Sequence, residues 1–238
     1  MDVSGADSCL AAPLLGESIV GEGEQVDLED RHGPVIPVAV DSAFPKAWDG
    51  RLAYVVSQVG SPPVLTSGAL AVSASALSGS RAWMWAGTYV FLAILTPLFY
   101  LVCLVRRGTV TDLDVQLRQQ RKRPLLFTIG CGGLAWLTLM LGKAPVPMVI
   151  LAGALWLQMA IIFGITLRWK ISVHTAAAAS VGTLIWSLVG SPLPMMIGVP
   201  LIAWSRVRLG RHTLAQTIAG ALLGAIILLA ALFLVYGR

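Results

Sequence analysis

Four stretches of this chain, Ala82–Val105, Leu125–Leu141, Met148–Leu167 and Leu214–Tyr236, contain no Asp, Glu, Lys or Arg. An α-helix needs about 20 mostly apolar residues to cross the hydrocarbon core of a bilayer. Inside that core every backbone N–H and C=O must be bonded within the protein, so such stretches pack as helices. Composition agrees: 12% of the residues are charged and the mean hydropathy is +0.78, where a soluble domain carries about 25% charged residues. Three weaker segments join them. Val64–Leu77 follows the Pro62-Pro63 break, and Ala176–Val189 and Leu193–Trp204 flank Gly190-Ser191-Pro192. The last two are too short to span without tilt or bilayer thinning, so they read as core helices shielded by their neighbours. The expected fold is all-α, a polytopic membrane bundle of six or seven helices.

Charge is sorted by sign along the chain. Residues 1–49 hold ten of the twelve acidic groups beside only Arg31 and Lys46, a net of −8. From residue 50 onward fifteen basic residues stand against two acidic ones, Asp112 and Asp114. Residues 1–52 therefore read as an acidic, disordered tail, poor in aromatics, and 53–238 as the transmembrane domain. The tail lacks the basic start and apolar run of a secretory signal. Cys9, Cys103 and Cys131 have no metal-knuckle spacing and read as free thiols.

If the helices alternate in direction, Arg106–Pro124, Arg168–Ser172 and Ser205–Arg211 emerge on one face, which carries eleven basic residues. Positive-inside counting puts that face in the cytoplasm; the same charges would also hold phosphate, so orientation stays open. The body's two histidines, His174 and His212, both open apolar helices on this face. An anion is favoured there by exposed backbone amides and helix dipole together. Trp83, Trp85, Trp169 and Trp204 lie near predicted helix ends, as in an aromatic belt. Gly130, Gly132 and Gly133, and Gly220 with Gly224 at GxxxG spacing, point to close helix packing.

The residues around the histidines carry a resemblance. Ser205-Arg206, five residues and then His212 is similar to the third motif of the type 2 phosphatidic acid phosphatase family, Ser-Arg-x5-His-x3-Asp. Ser172-Val173-His174 resembles its second motif, Pro-Ser-Gly-His, and the run through Arg118 to Arg123-Pro124 its first, Lys-x6-Arg-Pro. Order and spacing agree over roughly residues 55–236. The departures are Ile171 for Pro, Val173 for Gly, Gln116 for Lys and Gln216 for Asp. Polyprenyl- and dolichyl-diphosphate phosphatases of this family carry a similar His-Thr-x-x-Gln pattern, which moves the expected substrate towards polyprenyl diphosphates.

The resemblance implies a multi-pass membrane hydrolase, expected in a bacterial plasma membrane, that removes phosphate from a lipid phosphate or diphosphate. His212 would be the nucleophile, forming a phosphohistidine, and His174 the general acid. Arg123, Arg206 and Ser172, with Arg118, Arg121 or Lys170, would hold the non-bridging oxygens. Gln216, four residues beyond His212, shares its helical face and would orient the ring. No cofactor or metal is called for, since the guanidinium groups supply positive charge. Partners are the lipid and the membrane, with no nucleic acid; a homo-oligomer is compatible. Asp112 and Asp114 are an Asp pair of the kind prenyltransferases use to bind Mg²⁺ and diphosphate, but the body has no second acidic cluster, and Asp114 is placed to pair with Arg118. The rival reading is a catalytically silent member that binds anionic lipid or serves as a partner subunit, for which Gln216 in place of Asp speaks.

Overall fold

The computed structural model describes residues 47–77, 79–111, 115 and 118–237, and every regular element among them is a helix. The acidic stretch 1–46, and with it the reading of a disordered tail, lies outside the described residues, as do Asp112, Asp114 and Gln116. The described elements all belong to one compact unit, Asp41–Arg238.

In chain order the helices are α1 (Trp48–Val59), α2 (Pro62–Ala76), α3 (Ser80–Tyr89), a π-helical turn (Val90–Leu95), α4 (Thr96–Arg106), a 3₁₀ turn (Arg118–Arg121), α5 (Lys122–Leu141), α6 (Val146–Thr166), α7 (Val173–Val189), α8 (Leu193–Arg208) and α9 (Leu214–Tyr236). Among the described residues, four helices are long and apolar enough to cross a membrane: Ser80–Arg106, Lys122–Leu141, Val146–Thr166 and Leu214–Val235. They match the four uncharged stretches to within three residues at each end. α1 and α2, bent by 47° at the break between them, make a fifth candidate when taken together. The expected boundary between residues 52 and 53 falls inside α1, a helix that no long apolar run announces.

α3, the π turn and α4 form one continuous rod. Pro97 has no N–H to return to the preceding turn, and Thr96 Oγ1 donates to the carbonyl of Phe91 at 2.8 Å. The helical ladder widens at this point, where a proline interrupts it.

α7 is the hub, packing on α9, α8 and α2. Its buried face runs from Thr175 through Ala176–Ala179 and Ser180 to Gly182, Thr183 and Leu184. Small side chains let the neighbours close in. A Cβ on Gly224 of α9 would overlap the carbonyl of Ala176, and one on Gly220 that of Ser172, so the GxxxG spacing serves backbone approach. Ser180 Oγ lies 2.6 Å from Oε1 of Gln158 and 3.1 Å from the carbonyl oxygen of Gly224, joining α6, α7 and α9 through buried polar groups. The expectation of shielding holds for α7 but not for α8, whose Leu193, Met196, Ile197 and Leu201 are exposed. α8 is amphipathic in its contacts rather than enclosed, with α7 and α1 as its main neighbours.

On α5, Gly132 and Gly133 make room for Trp156 of α6. Its indole N–H donates to the Ile129 carbonyl at 3.1 Å, and its ring stacks on Trp136. Gly130 faces open space instead. Trp83, Trp169 and Trp204 are exposed, whereas Trp85 is half-buried against Gly142.

Candidate active site

His212 occupies the short link between α8 and α9. Gly210, at φ +65°, takes the left-handed conformation that ends α8, and the N–H groups of Arg211 and His212 both return to the carbonyl of Arg206. Thr213 then opens α9 with a capping box. Its Oγ1 accepts from the Gln216 N–H at 3.4 Å, and Oε1 of Gln216 accepts from the Thr213 N–H at 3.2 Å. The same Oε1 stands 3.2 Å from Nδ1 of His212. A backbone N–H only donates, so the side-chain atom facing it is the oxygen. That oxygen must then receive a hydrogen from Nδ1, which leaves the lone pair of His212 on Nε2.

His174 lies in the first turn of α7. The preceding Ser172 is fully buried, and its Oγ accepts from the Thr175 N–H at 3.4 Å as the cap of that helix. The Ser172 N–H donates to the backbone carbonyl of Gln216 at 3.3 Å, so the starts of α7 and α9 are joined. Arg206, in the last turn of α8, is 1% exposed. Its Nη1 donates to Oγ of Ser57 on α1 at 2.6 Å and stands 3.5 Å from Nε2 of His174. Arg121 closes the 3₁₀ turn before α5; it is buried, and its Nε donates to the Val115 carbonyl at 2.7 Å.

His174, His212, Arg206 and Arg121 all line one cavity of about 480 Å³. Most of the remaining wall is apolar, with Ile94, Leu98 and Leu101 from the α3–α4 rod, Leu125 from α5, and Leu155 and Trp156 from α6. A polar cluster of histidines and guanidinium groups thus shares an enclosure with an apolar shaft.

The electrostatics of the cluster show in His212. Its pKa is pushed down to about 3, first by burial and then by the charges of Arg206, Arg121 and Lys170, against the opposing bond from Gln216. The ring is neutral at pH 7. Three cations thus stand near a neutral imidazole.

The structure brings His174, His212, Gln216, Arg206, Arg121, Lys170 and Ser172 into one neighbourhood. It does not bring Arg123 there. α5 begins at Lys122, and its first turn sends Lys122 and Arg123 outward as exposed residues while Pro124 faces the cavity. Arg121, one residue before the helix, takes the position expected of Arg123. The backbone of Arg118 lies in the 3₁₀ turn, and its side chain is outside the described residues. Two features were missed in the sequence. Thr213-x-x-Gln216 is a capping-box signature that fixes where α9 starts. Ser57 carries no local signal at all, since its role arises from a contact with a residue 149 positions away. No family model matches this chain, and no curated protein and no solved structure matches it either.

Proposed function

We propose that this protein is a multi-pass membrane phosphatase that hydrolyses a lipid diphosphate or lipid phosphate ester, in the manner of the type 2 phosphatidic acid phosphatases. A polyprenyl diphosphate is the leading substrate, and the setting is lipid-carrier recycling in a bacterial plasma membrane. The observation that carries the reading is the cavity itself. A cluster of Arg121, Arg206, His174 and His212 opens on a largely apolar enclosure of about 480 Å³, a match for a phosphate head on a hydrocarbon chain.

In this reading Nε2 of His212 attacks phosphorus, forming an N–P bond as the P–O bond to the leaving lipid or lipid phosphate breaks. His174 delivers a proton to that departing oxygen. Water, deprotonated by His174 in its turn, then cleaves the N–P bond and releases phosphate, restoring both rings. Arg206 and Arg121 meet the non-bridging oxygens as charge builds on them. The Nδ1–H bond to Gln216 supports this assignment, because it leaves Nε2 as the nucleophilic nitrogen. The low pKa of His212 fits as well: the ring is unprotonated before substrate arrives, and the phosphate then offsets the cations that disfavour a positive imidazole.

A second reading, a silent protein that binds anionic lipid, is favoured by one observation. Gln216 offers His212 an amide oxygen where a carboxylate would stabilise the cationic ring. Phosphate release from farnesyl diphosphate, undecaprenyl diphosphate and phosphatidic acid, in EDTA, separates the two. Release by wild type and not by His212→Ala supports the phosphatase and ranks its substrates. No release from any of them leaves the lipid-binding reading.

A further inference from the structure

We propose that Ser57 is a positioning residue that sets the guanidinium of Arg206 for phosphate, with α1 serving as the strap that holds Ser57 in place. The proposal rests on the reading of Arg206 as a phosphate-holding group.

Three independent contacts bind α1 to α8. Near the start of α1, Asp49 Oδ2 accepts from Arg208 Nε at 2.8 Å and lies 2.7 Å from its Nη2. In the last turn, Ser57 Oγ accepts from Arg206 Nη1 at 2.6 Å. Just past the helix, a Cβ on Gly60 would stand 2.6 Å from Cδ1 of Ile202, so the bare glycine makes room for that side chain. The buried residues Gly50, Ala53, Ser57 and Gly60 recur at helical spacing along one inner face of α1. The opposite face carries Trp48, Leu52, Val55 and Val59, all exposed.

The geometry at Arg206 gives the serine its meaning. Nη1 carries two hydrogens. One goes to Ser57, and Nη1 stands 3.5 Å from Nε2 of His174. Since the guanidinium is planar, fixing Nη1 in this way fixes the orientation of the whole fork. Ser57 therefore sets the direction of an arginine that lines the cavity wall beside both histidines. Gln58 and Ser61, which flank it, line the same cavity. The strap is thus part of the enclosure as well as its fastening.

The test uses the full chain in detergent and two readouts, calorimetric binding of inorganic pyrophosphate and phosphate release from farnesyl diphosphate. Ser57→Ala removes the acceptor, and Ser57→Thr keeps the hydroxyl. Gly60→Leu crowds the Ile202 side chain where α1 ends against α8, while leaving Ser57 and Arg206 intact. A hydrogen bond to a charged group is worth enough to predict about a tenfold loss of pyrophosphate affinity in Ser57→Ala. KM should rise in parallel and kcat change less. Ser57→Thr should restore affinity, Gly60→Leu should lose it as Ser57→Ala does, and the thermal midpoint of Ser57→Ala should stay close to wild type. Wild-type affinity in Ser57→Ala overturns the proposal. Pyrophosphate binding that depends on Ser57 in a protein that releases no phosphate upholds the positioning role and removes the phosphatase reading. A wild type that neither binds pyrophosphate nor turns over overturns both.

Discussion

Oε1 of Gln216 stands 3.2 Å from Nδ1 of His212 and an equal 3.2 Å from the N–H of Thr213. One amide oxygen therefore starts α9 and sets the tautomer of the histidine beside it. An amide can orient the ring, but it does not carry the charge that would balance a cationic phosphohistidine. In a serine-protease triad, the corresponding loss of a carboxylate costs about 10⁴ in rate.

Gln216→Leu should accordingly lower kcat by about 10²-fold or more, since both tautomer and ring direction are released. Gln216→Glu, of the same length and still able to close the capping box, should raise kcat above wild type. Phosphate release at saturating lipid measures both. Equal kcat in all three proteins would mean that residue 216 does not set the ring.

The depressed pKa of His212 has a consequence for stability. An ordinary imidazole takes up its proton near about pH 6.5, whereas His212 in the folded protein does so only at about 3. Between these values the unfolded chain binds more protons than the folded one, so stability rises with pH across the window and is lost as pH falls through it. The thermal midpoint of wild type in detergent should drop more steeply from pH 7 to pH 4 than that of His212→Asn. Parallel slopes would assign the acid sensitivity to other groups.

Arg121 and Arg123 differ by two positions and by which way they face. Losing a charge-assisted bond to phosphate should raise KM about 10- to 100-fold in Arg121→Ala. Arg123→Ala, at an exposed position outside the cavity wall, should change KM by less than about threefold. Steady-state kinetics on one lipid diphosphate decides it, and the reverse order would reinstate Arg123.

Gly224→Val should destabilise the bundle by about 1–3 kcal/mol or more, because overpacking forces backbone apart where the Ala176 carbonyl meets α9. Gly130→Ala meets nothing and should be neutral or gain slightly from helix propensity. Paired melting curves of the two variants give the comparison, and a tolerated Gly224→Val would mean that α7 and α9 separate readily.

The long apolar helices were legible because an uncharged stretch of bilayer length has few alternatives to a helix, and Gly220 with Gly224 announced a close helix approach. His174, Arg206 and His212 were legible through spacing and through the ends of helices they share. What escaped was decided by direction and distance. Whether Arg121 or Arg123 turns inward depends on the residue at which α5 begins, and a helix start is poorly fixed by a run such as Arg121-Lys122-Arg123-Pro124. α1 is short and mixed in polarity, so its apolar stripe of Trp48, Leu52, Val55 and Val59 does not stand out as a span. Its purpose is visible only where Ser57 meets Arg206. The exposure of α8 is not legible in its length, because a short apolar helix can be enclosed or open, and its outer apolar face is uncovered by the described residues.

The π-helical turn at Val90–Leu95 makes the number of residues in that rod matter as much as their kind. Each residue of an α-helix advances the side-chain direction by about 100°, and a π turn holds one more residue than the α-helical ladder needs. Pro97, Leu98 and Leu101 reach the cavity wall from beyond that turn, while Tyr89 reaches it from before. Exchange of one apolar residue for another in 90–95 leaves these directions alone. Deletion of that extra residue would return the ladder to regular α-helix with Leu98 and Leu101 still facing the cavity, whereas a deletion in the α-helical part of the rod between Tyr89 and Leu98 would swing everything downstream by about 100°. The turn is thus the one place in the rod where a residue can be lost without redirecting the wall of the cavity.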